Sequence, residues 1–227
     1  MNLRILTPDD IPAVATIHRA AFPRAAISRL GHAAARRYYD SLRSGLHGTT
    51  GLGVFEQNQL SGFCFVGVRH IAEAFYVRHH APYLAWRIAT HPWLLMESFI
   101  WSRIGSGLRF LRPHSKESVA ATASRQSSDS SYGIQYIAVH PSRQGRGLGK
   151  QLLLASEELA RQHGCTEIHL SVYLDNIGAI AFYERMGWQK YVEDEAWRGL
   201  MFKRLTQADA VEILPVAVNP LATAASL

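Results

Sequence analysis

The segment with the clearest chemical potential is a glycine- and arginine-rich turn at residues 140–150, which reads HPSRQGRGLGK. It follows an apolar, β-branched stretch and opens an amphipathic one, so it is expected where a strand passes into a helix. Glycines let the backbone approach a ligand and present successive N–H groups, and a helix N-terminus adds partial positive charge. With Arg143, Arg146 and Lys150 nearby, the turn suits a pyrophosphate group.

Three kinds of anion-binding loop can be compared with this turn. A Walker A loop requires GxxxxGK[ST], but Gln144 stands five residues before Gly149, and Lys150 is not followed by Ser or Thr. A Rossmann loop requires GxGxxG, and counting from Gly145 puts Lys150 in the last place. The spacing Q/R-x-x-G-x-G/A fits from Gln144 to Gly149. The structural alternative is a glycine-rich turn that only joins a strand to a helix.

A second segment, residues 172–188, carries polar and aromatic residues at fixed intervals in the pattern VxxxNxxAxxFYExxGW. Together with the stretch YIAVHP at residues 136–141 and GKQLL at residues 149–153, it resembles the acetyl-CoA-binding core of the GNAT superfamily of N-acetyltransferases. The resemblance covers residues 132–204 firmly and residues 1–68 by element order only. It hardly extends to residues 69–131.

The resemblance implies a role for each residue of the two segments. Backbone N–H groups of the turn would hold the pyrophosphate of acetyl-CoA, and the strand end near Ile137 and Val139 would pair with the pantetheine arm. Asn176 would hydrogen-bond the same arm, and it is also a candidate helix N-cap. The implied cofactor-binding residues are Ile137, Ala138, Val139, Gln144, Gly145, Arg146, Gly147, Leu148, Gly149, Lys150, Asn176, Ala179 and Tyr183.

Tyr183 is the catalytic residue that the resemblance implies, as the general acid that protonates the departing CoA thiolate. The alternative is a tyrosine of the core. A backbone N–H near Val139 would polarise the thioester carbonyl. The acceptor must attack as a neutral amine, so a base must take its proton. Many members of the family use a carboxylate on the central strand for this, but residues 132–137 contain no acid. The base is therefore either a chain of water molecules or a residue such as Glu73, Glu97 or a histidine.

The elements that must position these residues follow from hydrophobic periodicity and turn signals. They predict the order β-α-α-β-β-insert-β-α-β-α-β-β, which is an α/β fold with a mixed sheet flanked by helices, as in the GNAT family. The strand at 132–139 and the strand at 166–172 flank a helix at 148–163, and we expect them to be parallel. One domain spans residues 1–205, with an insert at 69–131 and a loose tail at 206–227. The other predicted strands are 3–6, 52–56, 60–68, 188–192 and 197–203, and the other predicted helices are 9–21, 32–44 and 177–186.

The insert consists of a helical stretch followed by a flexible loop, and it carries much of the positive charge. Between residues 69 and 117 there are seven Lys/Arg and three Asp/Glu, so 7 − 3 = +4 of the net charge of +6 lies there. One interpretation is a pair of helices that packs its aromatic residues on the core. Another is a lid over the acceptor, in which Arg78, Arg87 or Arg103 grips an anionic amine. Peripheral contact with a membrane is a third.

The resemblance implies an acetyltransferase that uses acetyl-CoA as co-substrate and a small-molecule amine as acceptor. Residues 21–39 look like GNAT members of bacterial polysaccharide biosynthesis, which implies an amino sugar or a nucleotide-linked amino sugar. The alternatives are a protein N-terminal or lysine acetyltransferase and a non-catalytic acyl-CoA-binding regulatory module.

Composition narrows the partners and the compartment. The cysteines have no CxxC spacing and no histidine stands in HExxH, so no metal site is expected. No nucleic-acid partner is expected, and the oligomeric state is open. The sequence shows no leader and no apolar span, which predicts a cytoplasmic location.

Overall fold

Seven strands form one mixed sheet in the order β1-β2-β3-β4-β5-β7-β6. The computed structural model describes residues 1–44, 48–68, 80–90, 132–193 and 195–206. The flexible loop predicted for the insert, most of the rest of the insert and residues 207–227 lie outside these ranges. In chain order, β1 to β7 run over Asn2–Ile5, Thr49–Glu56, Gln59–Val68, Tyr132–Val139, Glu167–Ser171, Gln189–Glu193 and Ala196–Arg204.

Helices cover both faces of this sheet. Short 3-10 turns at Pro8–Asp10 and Pro141–Arg143 precede two of them. The predicted α/β class and element order are confirmed, and among the α-helices of the described residues only the four-residue α2 was not predicted. Helices α1 to α6 run over Ile11–Ala21, Ala26–Arg29, His32–Arg43, Ala81–Thr90, Leu148–Gln162 and Ile177–Arg185.

Strand boundaries differ from the predicted ones by a few residues. The predicted strand at 52–56 begins at Thr49, because Thr49 and Thr50 pair with Gly67 and Val66 of β3. Partners of this kind lie far away in the sequence, so local propensity does not show them. Helix α4 is the part of the predicted helical insert that the structure describes.

Strand β4 alternates its side chains between two apolar clusters on opposite sides of the sheet. The first cluster contains Cys64 and Val66 of β3 with the inward faces of α5 and α6. The second contains Phe63 and Phe65 with the inward faces of α1 and α3. The sheet therefore separates two helical layers, and a gap through the sheet connects them.

Such a gap opens between β4 and β5. The two strands are parallel, as predicted, but they pair only at Gly133 with His169 and at Ile134 with Leu170. On its other edge, β4 pairs Tyr136 with Phe65 and Ile134 with Val66, so Gln135 is an extra residue between them. A β-bulge of this kind bends its strand. The pairing of β4 with β5 therefore ends at Ile134.

None of the described helices is both long enough and apolar enough to cross a membrane. Across the same residues, no three His, Cys, Asp or Glu side chains come together as a metal site.

Candidate active site

The gap between β4 and β5 is a cleft of about 990 Å³ that reaches both helical layers. Its walls contain the glycine turn, the edge of β4 that faces β5, and residues of α1 and α6. Twelve of the thirteen residues predicted to bind the cofactor line it, and Arg146 is the exception. The twelve are Ile137, Ala138, Val139, Gln144, Gly145, Gly147, Leu148, Gly149, Lys150, Asn176, Ala179 and Tyr183.

The glycine turn places backbone N–H groups at the cleft. Gly147 is the N-cap of α5 and has a φ of 78°, which favours glycine over other residues. A Cβ added there would meet no atom within 4 Å, so this face of Gly147 is open space. The side-chain amide of Gln144 donates to the carbonyl of Val139 at 3.2 Å and ties the turn to the end of β4. The first turn of α5 therefore presents N–H groups without helical partners to the cleft.

The three cations of the turn differ in their surroundings. Arg143 and Arg146 lie 3.4 and 3.8 Å from the carboxylate of Glu56. Arg143 still lines the cleft, whereas Arg146 does not. Lys150 lines the cleft, is exposed, and has no carboxylate of the described residues within 4.0 Å. Lys150 is therefore the cation best placed to meet an anionic ligand.

Helix α6 is capped at both ends, and it carries Asn176 and Tyr183, which line the cleft. The side-chain oxygen of Asn176 accepts a hydrogen bond from the N–H of Ala179 at 3.2 Å, so the N-cap interpretation is right. At the other end Gly187 has a φ of 83° and donates to the carbonyl of Glu184. The N–H of Trp188 donates to the carbonyl of Tyr183 at 3.0 Å. This is a Schellman motif, which explains the spacing between Tyr183 and the Gly-Trp pair.

Tyr183 brings a buried phenol to the wall of the cleft. Its side chain lines the cleft and is 8% exposed, and its ring packs 6.1 Å from that of Trp188. Burial raises the pKa of Tyr183 well above that of a free tyrosine, so the phenol keeps its proton at neutral pH. Its hydroxyl makes no hydrogen bond to any described residue, and it is available to a ligand.

Glu157, which the sequence analysis did not single out, binds the Trp188 side chain that packs on Tyr183. The Glu157 side chain is 1% exposed on the inward face of α5. Its carboxylate accepts from the indole N–H of Trp188 at 3.0 Å and from the Lys203 ammonium at 2.8 Å. The available signal was an acidic residue on the apolar stripe of α5, because a buried carboxylate requires partners.

The opposite wall of the cleft comes from the α1 layer and was not predicted at all. Its residues come from α1, the segment after it and β4: His18, Ala21, Phe22, Ala25 and Tyr136. His18 is fully buried, and desolvation lowers its pKa to about 4. The only sequence signal was a histidine on the apolar face of α1. No Asp or Glu of the described residues lines the cleft. Glu73 and Glu97, two candidates for the base, lie outside the described residues.

Comparison with curated proteins finds a strong but short likeness. Mycothiol acetyltransferase of Gordonia bronchialis is 41% identical over 70 residues, which are 30% of this chain and 23% of that protein. The match thus spans less than a quarter of that relative.

Solved structures match over nearly the whole chain. PaiA N-acetyltransferase of Thermoplasma acidophilum, in complex with coenzyme A, has a TM-score of 0.52 and 15% identity over 90% of this chain and 99% of that one. The ribosomal-protein-S18-alanine N-acetyltransferase of Escherichia coli has a TM-score of 0.52 and 14% identity over 94% and 97%. At these identities the likeness establishes the fold. A model of the acetyltransferase (GNAT) family matches residues 31–188, and the chain belongs to that family.

Proposed function

We propose that this protein transfers an acetyl group from acetyl-CoA to a primary amine. The observation that carries the proposal is that the glycine turn, the end of β4 that faces β5 and Tyr183 meet in one cleft. A cofactor with a pyrophosphate, an amide-bearing arm and a thioester would need these three features in this order.

The glycine turn supplies the first contact. N–H groups from Gln144 to Gly149 and the N-terminus of α5 would bind the pyrophosphate, with Lys150 adding its charge. The match to the Thermoplasma acidophilum structure, which contains coenzyme A, supports this placement. Arg146 would contribute through its backbone, because its side chain is turned toward Glu56.

The end of β4 that faces β5 supplies the second contact. The backbone groups of Ile137 and Ala138 are not paired with β5, and amides of the pantetheine arm would complete their hydrogen bonds. The side-chain oxygen of Asn176 is used by the helix cap, which leaves its NH₂ group for the arm.

Chemistry would then proceed by direct attack. The lone pair of the neutral amine forms a bond to the thioester carbon, and the carbonyl π electrons move to oxygen, where a β4 N–H stabilises the charge. Collapse re-forms the carbonyl and breaks the C–S bond. The departing thiolate takes a proton from Tyr183, and the proton lost by the nitrogen passes through solvent to restore the phenol. The desolvation that raises the pKa of Tyr183 also destabilises a thiolate in the same cleft.

The proposed acceptor is a small-molecule amine, and amino sugars and nucleotide-linked amino sugars are the first class to test. The short match to mycothiol acetyltransferase supports only the cofactor-binding half, because its 70 residues span 23% of that protein. The proposed location is the cytoplasm, where the free cysteines Cys64 and Cys165 would stay reduced.

The test is to incubate the protein with acetyl-CoA and a panel of amines, and to measure free thiol together with the mass of each amine. The panel should include amino sugars, nucleotide-linked amino sugars, and peptides with a free N-terminus or a lysine. Amine-dependent thiol release with acetylation of a small amine is expected. Acetylation of peptides alone would make the protein a protein acetyltransferase. Tight acetyl-CoA binding without any transfer would indicate the regulatory module.

A further inference from the structure

His18 carries a buried polar atom that has no partner among the described residues. Its Nε2 is buried and makes no hydrogen bond among the described residues, although the His18 ring forms part of the cleft wall. Leaving a buried polar group unpaired costs stability, and an apolar residue of similar size would avoid that cost. A group of this kind calls for an explanation, and an unfilled ligand contact is one.

The hydrogen bond on the other side of the ring indicates which nitrogen carries the proton. Nδ1 of His18 lies 2.6 Å from the hydroxyl of Tyr39, which is fully buried. If Tyr39 donates to Nδ1, the phenol is satisfied and only the Nε2–H lacks a partner. If Nδ1–H donated instead, both the Tyr39 O–H and the Nε2 lone pair would lack partners among the described residues. The first arrangement leaves fewer unpaired groups, so His18 is a neutral imidazole with its proton on Nε2.

From this geometry we infer that His18 donates a hydrogen bond from Nε2 to an oxygen of the acceptor, placed on the carbon next to the reacting amine. The inference rests on the proposed acetyl transfer and names its substrate class, which is amines that bear a neighbouring hydroxyl or carbonyl oxygen. His18 lies in the helical layer opposite Tyr183, so acceptor and thioester would approach β4 from its two sides. His18 is an acceptor-binding residue in this account, and Tyr39 positions it.

A neighbouring ring must move for the acceptor to reach Nε2, because this atom is buried. Two rings that line the cleft flank His18, with centroids 5.1 Å away for Phe22 and 5.7 Å away for Tyr136. The Tyr136 hydroxyl accepts a hydrogen bond from Tyr38 at 3.2 Å, which holds this ring in place. Phe22 follows the last helical residue of α1 and is partly exposed, so Phe22 is the side chain that gives way.

The kinetic test uses a matched pair of amines, 2-aminocyclohexanol and cyclohexylamine, which differ by one hydroxyl. The ratio of their kcat/KM values is measured for the wild type, His18→Phe, His18→Gln and Tyr39→Phe. Dividing each variant's ratio by that of the wild type cancels the different basicity of the two amines. His18→Phe should lower the ratio by about 3- to 10-fold, as expected for one hydrogen bond. His18→Gln, which keeps a donor near Nε2, should restore part of it.

Tyr39→Phe should give an intermediate ratio, because the imidazole can then place its proton on either nitrogen. A purely structural role for His18 predicts that all three variants slow both amines equally. An unchanged ratio in His18→Phe would therefore overturn the inference while leaving the acetyl transfer intact.

A second readout does not need turnover or a variant that folds. In wild-type protein labelled with ¹⁵N-histidine, the His18 ring should show the Nε2–H form. Its signal should shift on addition of 2-aminocyclohexanol and not of cyclohexylamine. A proton on Nδ1, or an equal response to the two amines, would contradict the inference. If the selective shift appears but no amine is acetylated, the proposed function fails and the binding inference stands.

Discussion

The two walls of the cleft are built in different ways. The wall proposed for the cofactor consists of two short segments, the glycine turn and α6 with its caps, and the hydrogen bonds that fix their backbones join residues a few positions apart. On the acceptor wall the Nδ1 of His18 meets a tyrosine 21 positions away, and Tyr38 meets Tyr136 across 98 positions. The backbone of the proposed cofactor wall is thus encoded locally, whereas the proposed acceptor wall depends on long-range packing.

The strongest way to break the cofactor wall alone is Gly147→Asp. The new carboxylate would lie in the open space where we place the pyrophosphate, so it should abolish the rise in Tm that acetyl-CoA gives the wild type by mass action. Thermal unfolding with and without acetyl-CoA measures this.

A matched control is Gly164→Asp, at the end of α5. Gly164 also has a positive φ, 73°, and open space around its missing Cβ, but it does not line the cleft. Its backbone cost should be similar and its acetyl-CoA shift normal. Equal shifts in the two folded variants would mean that the glycine turn does not hold the cofactor.

Tyr183→Phe sharpens the comparison by removing one atom from the cofactor wall. Loss of the general acid should lower kcat by about 10²- to 10⁴-fold, with little change in KM for acetyl-CoA. Phe182→Leu, next to it on α6 and also lining the cleft, serves as a packing control. Tyr183 would be a packing residue if kcat of Tyr183→Phe stayed within a few-fold of the wild type.

Glu157→Ala tests whether the cofactor wall depends on support from behind. It leaves the Trp188 indole and the Lys203 ammonium without their buried partner, which should cost up to about 3 kcal/mol of the free energy of unfolding. Partial exposure of the Lys203 side chain, 17%, reduces that cost. Because Trp188 packs on Tyr183, we also expect Glu157→Ala to lower kcat by a larger factor than it changes KM.

Glu158→Ala is the control for this substitution, since Glu158 pairs with Arg161 at 2.9 Å in a partly buried position of α5. Urea unfolding of both variants separates a fully buried carboxylate from a partly buried one. Comparable small losses of unfolding free energy in the two variants would mean that Glu157 does not stabilise the cofactor wall.

A smaller effect is expected from His18 on the acceptor wall when the pH is lowered. Burial lowers the pKa of His18 to about 4, so the unfolded chain, with a histidine pKa near 6.5, binds the proton first as pH falls. Stability should therefore decline between these two values, and His18 should account for about 2 kcal/mol of the loss from pH 7 to pH 5. His18→Phe should flatten the decline in urea titrations at both pH values. A decline of unchanged slope would mean that His18 is charged or solvated in the native state.

The same contrast explains how much the sequence could predict. The resemblance singled out Gly147, Asn176 and Tyr183, and the structure shows that local caps and turns account for their spacing. The side chain of Arg146 was expected at the pyrophosphate, but Glu56, a residue of β2, lies within 3.8 Å of it. His18 and Glu157 were not singled out, because a polar residue on an apolar helix face gives no hint of its partners. Arg78 and Arg103 of the proposed lid, and the side chain of Arg87, lie outside the described residues.

The most direct test of the central claim is hydrogen–deuterium exchange with and without coenzyme A. If the cofactor lies between β4 and β5 on the glycine turn, amides from Gln135 to Lys150 should become protected. Amides of the β2–β3 hairpin should exchange as before. Protection confined to another part of the chain, or none at saturating coenzyme A, would contradict the placement of the cofactor in this cleft.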